Sequence, residues 1–144
     1  MYLGFTSRLQ LGKFEFQFAG RSNIGNHIYS NVLSNGAYYN RLFNSTGILN
    51  NTHAQTQAID FTVPQYFSDH FIRDGSFLRI DHITLGYDLT GISDIFRNLR
   101  VNLVAQNPIL ITNYEGLDPE VFNGIDGNLY PRARTFLLGV NASF

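Results

Sequence analysis

The chain has 144 residues and a formal net charge of −1, with 15% of its residues charged and 15% aromatic. Soluble domains ordinarily carry about 25% charged residues, so something other than ionised groups must cover much of this surface. The balanced charge supplies no basic face for a nucleic acid, and a mean hydropathy of −0.10, with no run approaching roughly 18 apolar residues, excludes a membrane-spanning helix.

A barrel wall reconciles the low charge with the moderate hydropathy, because each strand spends alternate residues on lipid and on a polar lumen. The absence of Cys removes any disulfide framework and any thiolate metal site. The opening residues, 1–9, alternate polar and apolar. They have no charged stretch followed by an apolar run, so they do not read as a signal peptide. For an outer-membrane protein this predicts a fragment whose start lies far upstream; the alternative is that the membrane reading is wrong.

In chain order, Leu3, Phe5 and Leu9 mark a first strand near 2–9. A tight link at 10–12 leads to a second near 13–21, where Phe14, Phe16 and Phe18 alternate with Glu15 and Gln17. The segment 22–75 is rich in Asn and turn residues and reads as a long loop, with a helical turn around Tyr38 to Leu42. A third strand is expected near 76–88. There Ile83, Leu85 and Tyr87 share a period with Arg79 and Asp81, while Leu78 and Ile80 fall opposite, which predicts a β-bulge, or an entry from the loop region, near Asp81. A fourth strand near 98–107 alternates Leu99, Val101, Leu103 and Ala105 with polar residues. Pro108 is expected to end its pairing, opening a second long loop at 108–134. The last strand, near 135–144, carries Phe136, Leu138, Val140, Ala142 and Phe144 on one face.

Ten residues at roughly 3.3 Å each, tilted by about 40°, rise about 25 Å, the height of the apolar band on a bacterial barrel. The connections alternate short and long, as they do in outer-membrane barrels with short periplasmic turns and long extracellular loops. Two rivals remain. A small secreted β-sandwich carbohydrate-binding module would bury the same alternating faces, but must absorb a loop of about fifty residues. A self-contained barrel needs at least eight strands, and only five are legible.

Three stretches carry a resemblance to a known family. They are Asp74-Gly-Ser-Phe-Leu-Arg-Ile-Asp-His-Ile-Thr-Leu-Gly-Tyr87, then 99–121 with its Gln106-Asn107 and its Tyr114-Glu-Gly-Leu-Asp-Pro-Glu120, and finally Tyr130-Pro-Arg-Ala-Arg-Thr-Phe136. Together they resemble the closing region of the SusC/RagA family of TonB-linked outer-membrane transporters. The resemblance covers the second half of the chain well and the first half loosely. It implies an all-β antiparallel segment of a large plugged barrel, with the chain as its C-terminal portion. It also implies import of oligosaccharides, peptides or other nutrients, driven through the TonB complex that contacts the absent plug. A SusD-like lipoprotein would serve as extracellular lid.

The candidate sites follow from that frame. Tyr114, Phe122 and Tyr130 are aromatics of the last outer loop that could stack on substrate or touch the lid protein, or could simply pack the loop. Asp118 and Glu120 flank Pro119. As an acid and base pair they would suit glycoside hydrolysis, yet the stiff Asp-Pro-Glu is better read as shaping the loop, and the family implies no enzyme. The alternating strand ending in Phe144 matches the pattern that barrel-assembly machinery recognises, and the same face would meet outer-membrane lipid. His27, His53, His70 and His82 lack a ligand spacing, so neither metal nor cofactor is expected. Asp126-Gly127-Asn128 is a fragment of a calcium loop without its remaining acids and reads as a turn. The sequons at Asn44, Asn50 and Asn141 read as coincidental, the last because it lies inside a strand.

Overall fold

The computed structural model describes residues 1–43, 47, 49–91, 95–127 and 129–144; the sequon at Asn44 and the last residue of the Asp126-Gly127-Asn128 motif lie outside them. The strands in chain order are β1 (Tyr2–Leu11), β2 (Phe14–Asn23), β3 (His27–Ser30), β4 (Ile72–Asp74), β5 (Phe77–Asp88), β6 (Asn98–Thr112), β7 (Ile125–Asp126) and β8 (Thr135–Ser143). Two short helices, α1 (Asn31–Gly36) and α2 (Thr56–Ile59), lie between β3 and β4. The chain divides into two compact units. One comprises Met1–Ile24, Ser76–Asn113 and Arg132–Phe144, the other Gly25–Gly75 and Tyr114–Pro131.

The first unit is an antiparallel sheet of five strands in the order β1-β2-β5-β6-β8. β1 and β2 are joined by Gly12-Lys13, where Gly12 at φ +57° supplies the left-handed backbone a two-residue hairpin loop requires. At the β5–β6 link, Asp88 accepts a hydrogen bond from the Thr90 N–H at 2.8 Å, and the Leu89 N–H reaches the Leu99 carbonyl at 2.8 Å. Both short links fall at one end of the sheet and both long connections leave from the other, because each successive neighbour is antiparallel.

The register aligns side chains across all five strands. Leu9 stands opposite Phe16, which faces Leu85, then Leu103, then Leu138. One row along, Leu11, Phe14, Tyr87, Val101 and Val140 form a second such line. Cross-strand partners share a face, so one face is a continuous apolar band. Its aromatics pack on each other, Phe14 with Tyr87 at 4.5 Å and Phe16 with Phe18 at 5.6 Å between ring centroids. Its residues stay exposed, Leu138 by 74% and Phe136 by 70%.

The expected bulge is present and explains the exchange of faces. Ala19 pairs with His82 but Gly20 pairs with Ile80, so Asp81 is one residue in excess of β2. On its other side Asp81 faces two residues of β6, since His82 pairs with Gln106 and Ile80 with Ile109. The shift returns Leu78 and Ile80 to the apolar face and sends Arg79 to the other. Pro108 does not end the strand: β6 continues to Thr112 and pairs with β5 throughout that extension. Asn107, at φ +50°, and Pro108 form the bulge, where neither ladder calls for a proline N–H, and it is β8 that stops, at the pair Gln106↔Thr135. The loop expected at 108–134 therefore begins after Thr112.

The second unit corrects the expectation of one long loop at 22–75. Ser22 and Asn23 belong to β2, and Gly25–Gly75 folds. β3 is the centre of a three-stranded sheet, antiparallel to β4 and parallel to β7. Ser30 caps α1 by accepting the Leu33 N–H at 3.4 Å. Leu33, Ala37 and Phe71 form a small core on which Tyr29, Ile59 and Phe61 pack, with Phe61 and Phe71 edge to face at 6.2 Å. The expected helical turn is the 3-10 turn Tyr39–Leu42.

Candidate functional site: a polar sheet face and a cleft in the second unit

The register that builds the apolar band places Arg8, Glu15, Arg21, Arg79, Asp88 and Arg100 together on the opposite face of the sheet. Asp81 joins them from the bulge, its Oδ1 lying 3.5 Å from Arg21 Nη1. A one-residue slip would drive these ions into the apolar band, so the register carries the chemistry of the face. Near the short-turn end, Glu15 holds two guanidinium groups: Arg8 Nε at 2.7 Å, and Arg100, whose Nε also donates to Asn102 Oδ1 at 2.9 Å. Arg100 reaches Glu15 by lying across Gly86, where a β-carbon would sit 2.7 Å from its Nη2. Lys13 closes the row from the turn, donating to the Thr90 carbonyl at 3.2 Å. This arrangement can bind polar ligand or polar protein surface along a wall. It offers no nucleophile and base pair.

In the second unit, the residues expected to touch ligand divide. Tyr114 is buried, 7% exposed, and its phenol donates to Asp126 Oδ2. Burial, followed by that bond and the Asp126 charge, pushes its ionisation well above the ordinary range. Asp118 is also buried. Its Oδ1 accepts the Glu120 N–H at 2.9 Å, clamping Pro119, which is fully buried. The Asp-Pro-Glu run is thus a built turn, not a pair of groups facing a substrate. Phe122 and Tyr130, 91% and 95% exposed, present their rings outward. In β8 the residues expected as an assembly signal, Phe136, Leu138, Val140 and Ala142, lie on the apolar face. Phe144 follows the strand, with its ring 5.2 Å from that of Phe96.

Sequence reasoning missed a cleft of about 220 Å³ within the second unit. Its polar wall includes Ser30, Arg73, Tyr114, Glu115 and Asp126, drawn from both long connections. No local pattern could mark it, since residues 30, 73 and 126 are adjacent only because β3 pairs with β4 and β7. Among the described residues no group of three or more His, Cys, Asp or Glu is disposed to hold a metal.

A one-sided sheet with an exposed apolar face, an ion-bearing opposite face and unequal connections is the wall of an outer-membrane β-barrel. The comparisons with known proteins agree. No family model matches the chain. Over 99% of its length the chain is 42% identical to the TonB-dependent receptor SusC of Bacteroides thetaiotaomicron, of which it spans 15%. It is 26% identical to the TonB-dependent receptor P3 of Formosa agariphila, of which it spans 16%. Among solved structures, the RagAB peptide importer superposes with a TM-score of 0.73 in its open-open state and 0.75 in its closed-closed state. Identities of 22% and 21% make these statements about fold, and 17% of the importer chain is covered. The chain belongs to the SusC/RagA family of TonB-dependent outer-membrane receptors, proteins that are not enzymes, and the β-sandwich reading is not favoured.

Proposed function

We propose that this chain is the C-terminal part of the barrel of a TonB-dependent importer of oligosaccharides or other nutrients. The observation that carries the reading is the segregation of charge. Arg8, Glu15, Arg21, Arg79, Asp88 and Arg100 share one face while Phe16, Leu85, Leu103 and Leu138 share the other, across five strands. A lipid-facing wall demands this, since an Arg or Lys at the bilayer midplane costs roughly 2–4 kcal/mol and an Asp or Glu somewhat less. On this reading the apolar face meets outer-membrane lipid and the polar face lines the lumen. The outer segments, with Phe122 and Tyr130 exposed, border the path of the substrate and the surface met by a SusD-like lipoprotein. TonB would act through a plug supplied by the rest of the molecule, and the β8 pattern ending in Phe144 would be read by the barrel-assembly machinery.

The test is deletion of the gene that carries this segment, followed by growth on single neutral oligosaccharides and on peptides. Loss of growth on one class, with growth on the component monosaccharides or amino acids intact, is the expected result. Unchanged growth and uptake on every member of both panels would overturn the reading.

A further inference from the structure

Two hydrogen-bonded rows supply side chains to the cleft of the second unit, the second of them through Arg73 and Glu115 at its ends, and the transport reading leaves both without a role. In one, the Tyr114 phenol donates to Asp126 and also hydrogen-bonds Ser30. In the other, Arg73 Nη2 donates to Gln55 Oε1 at 3.2 Å, and Gln55 Nε2 donates to Glu115 Oε2 at 3.3 Å. Arg73 is fixed further by the carbonyls of His70, at 2.5 Å, and Ile72, at 3.1 Å. The remaining lining includes Val32, Leu33 and Leu117.

We infer that this cleft is a subsite for one ring of a neutral, hydroxyl-rich ligand, the sugar unit of an oligosaccharide. The inference rests on the importer reading above and deepens it. Net charge argues against an ionic ligand, because an anion would meet Asp126 and Glu115 and a cation would meet Arg73. Side chains held by several bonds cannot swing to follow a mobile ion, but they suit a fixed pattern of hydroxyls, each of which donates and accepts. Carboxylates keep acceptor capacity after one bond, and a guanidinium has five N–H donors. The apolar residues match the C–H face of a sugar ring. The volume of about 220 Å³ is below the roughly 300–1,000 Å³ of a pocket that takes a whole small molecule, which fits one ring of a longer chain.

The test uses the full-length transporter in its outer membrane, with uptake of neutral gluco-, fructo- and manno-oligosaccharides measured singly. Three variants at exposed cleft positions are compared at matched surface levels: Glu115→Ala, Glu115→Gln and Leu117→Trp. Glu115→Ala should raise the half-saturating concentration of the transported oligosaccharide roughly tenfold, the loss of one hydrogen bond to a charged group. Leu117→Trp, which fills the cleft, should raise it at least as far. Glu115→Gln, which keeps an acceptor oxygen, should stay within about threefold of the parent, and 0.5 M salt should change nothing. Parent-like uptake by both Glu115→Ala and Leu117→Trp would overturn the subsite while leaving the importer reading standing. A Glu115→Gln loss as large as that of Glu115→Ala would overturn the role of the Glu115 oxygen as a hydroxyl acceptor. Absence of oligosaccharide uptake by the parent, with peptide uptake intact, would overturn the subsite and leave the importer reading standing.

Discussion

Gly20 and Gly86 both occur where strands approach closely, yet their substitution should have opposite consequences. At Gly20 a β-carbon would stand 2.5 Å from Phe5 Cζ and 2.6 Å from the Arg79 carbonyl oxygen. The ring of Phe5 lies over this glycine on the apolar face, since Phe5 and Gly20 are paired in the β1–β2 ladder. The carbonyl belongs to β5 next to the Asp81 bulge, where the backbone cannot retreat without shifting the ladder beyond it. Overpacking of this kind costs about 1–3 kcal/mol, and displacement of Phe5 would add the exposure of an aromatic. At Gly86 the nearest atom is Arg100 Nη2 at 2.7 Å, the far end of a flexible side chain. Moving it loosens the solvent-screened bond to Glu15, a loss opposed by the roughly 0.4–1 kcal/mol that Ala contributes by restricting the unfolded chain. Gly20→Ala should therefore destabilise by about 2 kcal/mol or more, and Gly86→Ala by less than about 1 kcal/mol. The assay is urea unfolding of the full-length barrel in detergent, followed by the shift between compact and unfolded bands on unheated gels. Equal midpoints for the two variants, or a Gly20→Ala barrel as stable as the parent, would refute the close approach at the bulge.

Lysine placed on the two faces should separate them: Leu103→Lys should cost roughly 2–4 kcal/mol in lipid and Gln17→Lys under about 1 kcal/mol, and similar costs in refolding titrations would refute the assignment of faces. Tyr114→Phe leaves the buried Asp126 short of a donor and should loosen the second unit by about 1–3 kcal/mol, read as faster proteolysis within 25–75 and 114–131. In the parent the folded unit holds the Tyr114 proton more tightly than the unfolded chain, whose tyrosine ionises near 10. That contribution is complete below about pH 10 and falls away as pH rises past it, and the Phe variant should lack the fall. Removal of Phe144 should lower the folded fraction in the outer membrane at constant synthesis; an unchanged folded fraction would show that the terminal aromatic has no part in insertion.

The existence of the wall was legible in the amino-acid order alone. Period-two alternation in residues such as Phe14, Phe16 and Phe18 or Phe136, Leu138 and Val140 is a local property, and the flip near Asp81 marked either a bulge or an entry from the loop, between which the register decided for the bulge. What the sequence could not rank was pairing. Pro108 reads locally as a strand terminator, but β6 runs to Thr112 because β5 pairs with it beyond the bulge while β8 has already ended. The second unit was hidden for the same reason. β3, β4 and β7 have four, three and two residues, too few for any period. They exist because residues 27–30 pair with 72–74 and 125–126, bringing Ser30, Arg73 and Asp126 to one cleft. Alternation along a strand is written in nearest neighbours, and so the sequence determined which residues share the apolar face. Which distant segments meet depends on loop closure and long-range pairing, and only the tertiary structure decided that Tyr114 and Asp118 are buried in the second unit while Phe122 and Tyr130 are exposed.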